Sequence, residues 1–183
     1  MVLAGRVQQK SQIGLAALLK ALDHFPDASI IFTQPNCDLE SRMLTRLIEK
    51  YVAGRKGETY FSKSMGQSGY ISAMWHSDVV IGNSSSGILE VPALKKPSVN
   101  IGDRQRGRIR AASVIDCVES ERAIVHAILR ALSPAFQRKL RFTRSLYGSG
   151  DTAERIKNII KKVRIDRQIL AKKFYDISRP GYS

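Results

Sequence analysis

The sequence predicts an α/β fold: a parallel sheet with helices on both faces. Two observations carry that prediction. Short β-branched runs alternate with segments whose apolar residues recur at helical spacing, the pattern of βαβ units. One such run, Asp78 to Ile81, also feeds straight into the glycine- and serine-rich turn Gly82–Gly87 and then into a helical pattern. In an open parallel sheet, turns at the carboxyl ends of strands face the ligand crevice.

The elements follow in order. Gln12–Leu22 has helical composition and spacing, and Ser29–Thr33 is a short strand ended by Pro35-Asn36. Met43, Leu44, Leu47, Ile48, Tyr51 and Val52 form a helix stripe that Gly54 can terminate. Thr59–Phe61 is a weak strand and Gly69–His76 a weak helix. After the strand Asp78–Ile81 and its turn, Ile88–Leu94 reads as helix, and Ser98–Ile101 and Ser113–Ile115 as strands. Ser120–Leu132 is a strong helix, with Ala123, Ile124, Ala127, Ile128 and Ala131 on one face. From Pro134 to Tyr175 the chain reads as two or three basic helices broken at Gly148-Ser149-Gly150, with Asp151 as a helix cap and a frayed tail from Ser178. Residues 1–150 are therefore expected to form the sheet domain, and 151–183 basic helices and a tail.

Composition narrows the function classes. The 183 residues are 43% hydrophobic and 25% charged, which excludes the low-hydrophobicity signature of disorder. A chain of this length buries about 70% of the surface its unfolded form exposes. Two cysteines, Cys37 and Cys117, exclude a disulfide scaffold and favour a reducing compartment. With three scattered histidines they offer no zinc spacing, and no metal or cofactor is expected. No stretch approaches the roughly 18–20 apolar residues of a membrane span. Ile13–Leu19, behind Arg6 and Lys10, is interrupted by Lys20 and reads as an amphipathic helix of a cytoplasmic protein rather than a signal peptide.

Thirty Lys and Arg against 16 Asp and Glu give a net charge of +14. The excess is uneven: 11 basic and 9 acidic residues up to Asp103, then 19 and 7 from Arg104 onward. A basic half suits an anionic partner. A solvated face is the simpler account of the terminal lysines Lys161, Lys162, Lys172 and Lys173.

The turn Gly82–Gly87 carries the chemistry. Its backbone amides, at the positive end of a helix dipole, suit a phosphate, and Ser84, Ser85 and Ser86 add hydroxyl donors. It is neither a Walker loop nor a nucleophile elbow, since no Gly-Lys-Ser/Thr follows and Ser86 stands where the elbow needs glycine. A plain serine N-cap explains the turn equally well. Glu90, four residues after Ser86, is out of register for a capping box; it reads either as an acceptor for the two hydroxyls of a ribose or as a solvent-facing glutamate supporting the first turn. The next strand ends in Gly102-Asp103-Arg104-Gln105-Arg106-Gly107-Arg108-Ile109-Arg110, with four arginines at alternate positions. Arginine's planar fork matches phosphate oxygens two at a time. By contrast Tyr70, Met74 and Trp75 share helical spacing and read as core, and His76 as a capping or surface residue.

The run from Ile81 to Arg108, IGNSSSGILEVPALKKPSVNIGDRQRGR, resembles the UDP-N-acetylglucosamine 2-epimerases, and within them the hydrolysing branch of sialic- and legionaminic-acid synthesis. Thr33–Asp38, Val114–Cys117 and Tyr147–Gly150 add to the likeness, which spans roughly residues 12–163. The resemblance implies a GT-B architecture of two Rossmann-like halves holding the nucleotide sugar between them, of which this chain is the C-terminal, UDP-gripping half. It implies that Ser84 and Ser85 donate to the diphosphate, that Glu90 holds the ribose, that Arg104 pairs with phosphate and that Asn36 contacts substrate. Ser86, Arg106 and Arg108 are further contacts, and uracil is read by backbone near Met65–Tyr70.

The implied reaction eliminates UDP across the sugar C1–C2 bond and hydrates the glycal to the 2-epimer, such as N-acetylmannosamine. Its acid and base carboxylates belong to the family's other half, and Met1–Lys10 lacks the family's diphosphate-contacting His-Pro segment. The chain alone is accordingly expected to be inactive, with no catalytic residue of its own. Its partners are then UDP or a UDP-N-acetyl amino sugar and an N-terminal GT-B half, with a homo-oligomer left open and no membrane partner. The last helix crosses to the other half in the family; here it frays, packs on its own domain or mediates dimerisation. Two alternatives remain: a non-catalytic nucleotide-sugar binding protein, and a basic nucleic-acid-binding protein without aromatic interleaving or a recognition-helix motif.

Overall fold

The computed structural model describes residues 2–3, 11–34, 41–148 and 150–164. Contacts divide the chain into two units, Met1–Tyr147 and Gly148–Ser183. The first is built on six parallel strands: β1 (Val2–Leu3), β2 (Ile30–Thr33), β3 (Thr59–Ser62), β4 (Val80–Gly82), β5 (Ser98–Ile101) and β6 (Val114–Cys117). Their order is β3-β2-β1-β4-β5-β6, the doubly wound Rossmann arrangement whose switch point lies between β1 and β4. Register is continuous from Ile31↔Tyr60 at one side to Asn100↔Asp116 at the other.

Strand β1 is the element that sequence reading did not assign. Two residues are too few for a periodic signal, and its place is fixed by pairing on both sides, Val2 with Phe32 and with Ile81.

One face of the sheet carries the main core. The helices α1 (Ser11–Asp23), α2 (Ser41–Gly54), α5 (Glu121–Leu132) and α6 (Pro134–Leu140) contribute residues such as Leu18, Ile48, Ile124 and Phe136. They meet Ile30, Phe32, Ile81, Val99 and Ile115 from four strands. Phe32 is fully buried and meets the ring of Tyr51 edge to face, centroids 5.8 Å apart. The predicted stripe of α5 is the buried stripe, and Ser120 caps it by accepting from the Ala123 amide.

Arg55, just past α2, ties this layer together. Its guanidinium donates to the carbonyls of Ala28, Phe25 and Pro26 and to the hydroxyl of Thr59, at 2.6–3.2 Å. The Phe25 carbonyl also accepts from the Ala28 amide, so Arg55 chiefly satisfies those of Pro26 and Ala28.

The opposite face is thinner. Helix α3 (Gly66–His76), α4 (Ser86–Leu89) and the 3-10 turn Val91–Leu94 cover it, around Met74, Val80 and Val91. The helix predicted over Ile88–Leu94 is thus one α turn followed by one 3-10 turn. Pro92 lacks the amide that would continue the α ladder, and Lys95 then turns left-handed at φ 55°. Trp75, expected in the core, is more than half exposed, while Met74 is fully buried. His76 sits on the surface with Nδ1 2.8 Å from the Ser72 carbonyl.

The second unit contains α7 (Thr152–Lys162), whose side chains are all exposed, Lys161 and Lys162 included. Asp151 precedes it, but its side chain makes no capping bond; its backbone carbonyl accepts from Arg155 instead. The predicted helical stretch beyond Arg164 and the tail from Ser178 lie outside the described residues. Among the described residues, no helix is long and apolar enough to cross a membrane.

Candidate nucleotide-binding site

Strand β4 ends in Gly82 at φ 148°, and the chain turns through Asn83, Ser84 and Ser85 into α4. The turn lies close against β5: a Cβ on Gly87 would stand 2.7 Å from Ser98 Oγ, so only glycine lets α4 approach this strand. Ser84 Oγ lies 3.3 Å from Ser86 Oγ and accepts weakly from the Ser86 amide at 3.4 Å. Ser85 occupies the N-cap position without a side-chain capping bond, while Ser84, one residue earlier, accepts from the first helical amide, so the turn serves the helix start in part. Because α4 is a single turn, its dipole is small, and the predicted pull of a full helix terminus on an anion is weak here.

Tyr70 joins this cluster from α3. Its hydroxyl lies beside Ser86 and in the field of the Glu90 carboxylate. Burial raises the phenol above its ordinary range, Glu90 raises it further, and only the Ser86 contact opposes. Tyr70 is therefore held as the neutral phenol. The sequence signal was its distance of one helical turn from Met74, which marks a shared face; a core role and a reach to the crevice give the same spacing.

The arginine loop docks onto the serine turn. Gly102, at φ 76°, opens it, with its amide on the Cys117 carbonyl at 2.9 Å. Arg104 Nη1 and Gln105 Nε2 then both donate to the Asn83 carbonyl, at 3.2 and 2.7 Å. Gln105 is buried, whereas Arg104, Arg106 and Arg108 are exposed. Sequence reasoning missed Gln105, although the alternation of arginines on either side of it marks it as the inward residue. Arg110, the fourth arginine, turns away from the crevice: its Nε donates to both Asp116 oxygens, at 3.2 and 2.9 Å, and Nη1 to the Arg108 carbonyl.

The structure therefore brings Ser84, Ser85, Ser86, Glu90 and Tyr70 together and joins them to Arg104 through Asn83. Asn36 lies outside the described residues. Among the described residues there is no cluster of His, Cys, Asp and Glu able to hold a metal. The assembled groups can donate to an anion through hydroxyls and guanidinium, and can accept from neighbouring hydroxyls through one carboxylate.

Comparison with known proteins agrees with this geometry. The sequence profile of the family described as UDP-N-acetylglucosamine 2-epimerase matches residues 5–161. A GDP/UDP-N,N'-diacetylbacillosamine 2-epimerase (hydrolyzing) of Campylobacter jejuni is 38% identical over 108 residues, 59% of this chain and 28% of that protein. The polysialic acid biosynthesis protein P7 of Escherichia coli is 34% identical over 161 residues, 87% of this chain and 41% of that protein. The crystal structure of UDP-GlcNAc 2-epimerase from Neisseria meningitidis bound to UDP-GlcNAc superposes with a TM-score of 0.72 at 15% identity, over 88% of this chain and 44% of that one. The chain thus spans less than half the length of these relatives and carries one Rossmann-like half of their GT-B fold. A doubly wound sheet, a serine turn braced by an arginine loop, and a profile match across most of the sequence converge on one conclusion: the chain belongs to the UDP-N-acetylglucosamine 2-epimerase family.

Proposed function

We propose that residues 1–150 form the UDP-binding C-terminal domain of a hydrolysing UDP-sugar 2-epimerase, with 151–183 as its basic terminal segment. The observation that carries this reading is the docking of Arg104 and Gln105 on the Asn83 carbonyl, which sets the arginine loop beside Ser84–Ser86. Ser84 and Ser85 donate to the diphosphate, with Ser86 as a further donor. Arg104 pairs with a phosphate, Arg106 and Arg108 add positive charge, and Glu90 accepts from the ribose hydroxyls. The backbone near Met65–Tyr70 reads the uracil.

Elimination breaks the sugar C1–O bond as a base takes the C2 proton, leaving a glycal and UDP. Water then returns a hydroxyl to C1 and a proton to C2 on the opposite face. In this division of labour the domain stabilises the departing diphosphate, and the acid and base come from a partner half of the GT-B fold, so the chain alone is inactive. A cytoplasmic setting, where UDP-sugars are made, fits this role.

Calorimetric titration with UDP, and with AMP as control, tests the reading. Saturable UDP binding that Glu90→Ala and Arg104→Ala each weaken about tenfold is expected, in the range of one charged hydrogen bond. Unchanged affinity in both variants would overturn the site.

A further inference from the structure

We propose that Asp116 is a positioning residue that holds the arginine loop in its anion-gripping shape, a role that rests on the nucleotide-binding reading above. The loop is fastened at two ends. At its start, Arg104 and Gln105 are bound to the Asn83 carbonyl. At its end, Arg110 Nε is bound by both oxygens of Asp116. Arg106 and Arg108 hang between these points, exposed and without a side-chain hydrogen bond or ion pair among the described residues, around Gly107 at φ 83°.

Asp116 is itself aimed from below. It stands opposite Asn100 in the β5–β6 register, and Asn100 Nδ2 donates to its Oδ1 at 2.6 Å. Asn100 is buried on β5, one strand in from the edge, where an apolar side chain would cost nothing to desolvate, and its Oδ1 finds no protein partner. Such a residue is poorly explained by stability. It is explained by orientation: the amide fixes the carboxylate, the carboxylate fixes Arg110, and Arg110 fixes the carbonyl of Arg108 through Nη1. The chain of contacts ends on the backbone that carries the two unpartnered arginines. A third support, independent of Asp116, is Tyr147 Oη donating to the Ile109 carbonyl at 3.1 Å.

Asp116→Asn keeps the size and one acceptor but removes the charge that Arg110 needs. Two measurements on the full chain test the role. Without ligand, amide exchange across residues 104–110 should accelerate in Asp116→Asn and equally in Arg110→Gln, with the double variant adding nothing. With ligand, UDP affinity should fall about fivefold, the upper range of an exposed ion pair, while uridine affinity stays within error. A general loss of structure would weaken both ligands alike. Unchanged loop exchange, or equal loss of UDP and uridine, overturns the brace. Failure of the wild-type chain to bind UDP would overturn the nucleotide reading instead, and the exchange data would still decide whether Asp116 holds the loop.

Discussion

The two faces of the sheet are built from different materials. On the face covered by α1, α2, α5 and α6, strands β2, β4, β5 and β6 bury large aliphatic or aromatic residues in one continuous core, and Phe61 of β3 packs against it. On the face covered by α3 and α4, the apolar cluster shrinks to Met74, Val80 and Val91 with a few flanking side chains, and the next strands present Ser98, Asn100 and Asp116. Strand β5 makes the contrast within four residues: Val99 and Ile101 enter the core, while Ser98 and Asn100 face the other way. The first face carries most of the apolar burial, and the second buries polar side chains such as Ser98 and Asn100. Stability and binding should therefore respond to different substitutions.

The largest expected effect lies on the apolar face. Phe32→Ala removes a fully buried ring and should cost about 3–5 kcal/mol in chemical denaturation, while the fraction still folded binds UDP as before. Next comes Arg55→Ala, which removes the side-chain donor to the Pro26 and Ala28 carbonyls and should cost about 1–3 kcal/mol by the same measurement. Ser120→Ala, which deletes the cap of α5, should cost about 1 kcal/mol, again without touching ligand affinity.

Tyr70→Phe inverts the pattern. Loss of one hydroxyl contact should change stability by no more than about 1 kcal/mol, yet weaken UDP binding measurably by calorimetry. If Tyr70→Phe unfolds the domain, or Phe32→Ala spares it, the division between the faces is wrong.

The smallest effect concerns pH. Burial, and secondarily the Asp116 carboxylate, push the Cys117 thiol from its ordinary 9.0 up to about 11. A raised pKa means that the folded state favours the neutral thiol. Its contribution is complete below pH 9 and drains away as pH climbs towards 11. Alkylation of Cys117, followed in a Cys37→Ser background, should be slow at neutral pH and quicken in Asp116→Asn, which lowers the thiol pKa.

The same contrast explains what could be read in advance. The apolar face was legible because α2 and α5 advertise it by periodicity, and the strands from Ile30, Ser98 and Val114 by β-branched runs. The serine turn was legible because a strand leads straight into Gly82–Gly87. What escaped was set by tertiary contact. Strand β1 exists through pairing with two neighbours, Gln105 acts through one distant carbonyl, and Arg110 is engaged by Asp116. Tyr70 packs on the Met74 cluster as its spacing suggested, but spacing could not show that it also lies near Ser86 and Glu90. Pro92 could have warned that the helix after the turn would stop within a turn.

The most direct test of the two-face account is to follow backbone amide shifts during a UDP titration. Perturbations should gather at residues 82–90 and 102–110 and around Tyr70, leaving α1, α2 and α5 unmoved. Shifts confined to those three helices, with the serine turn and arginine loop silent, would contradict it.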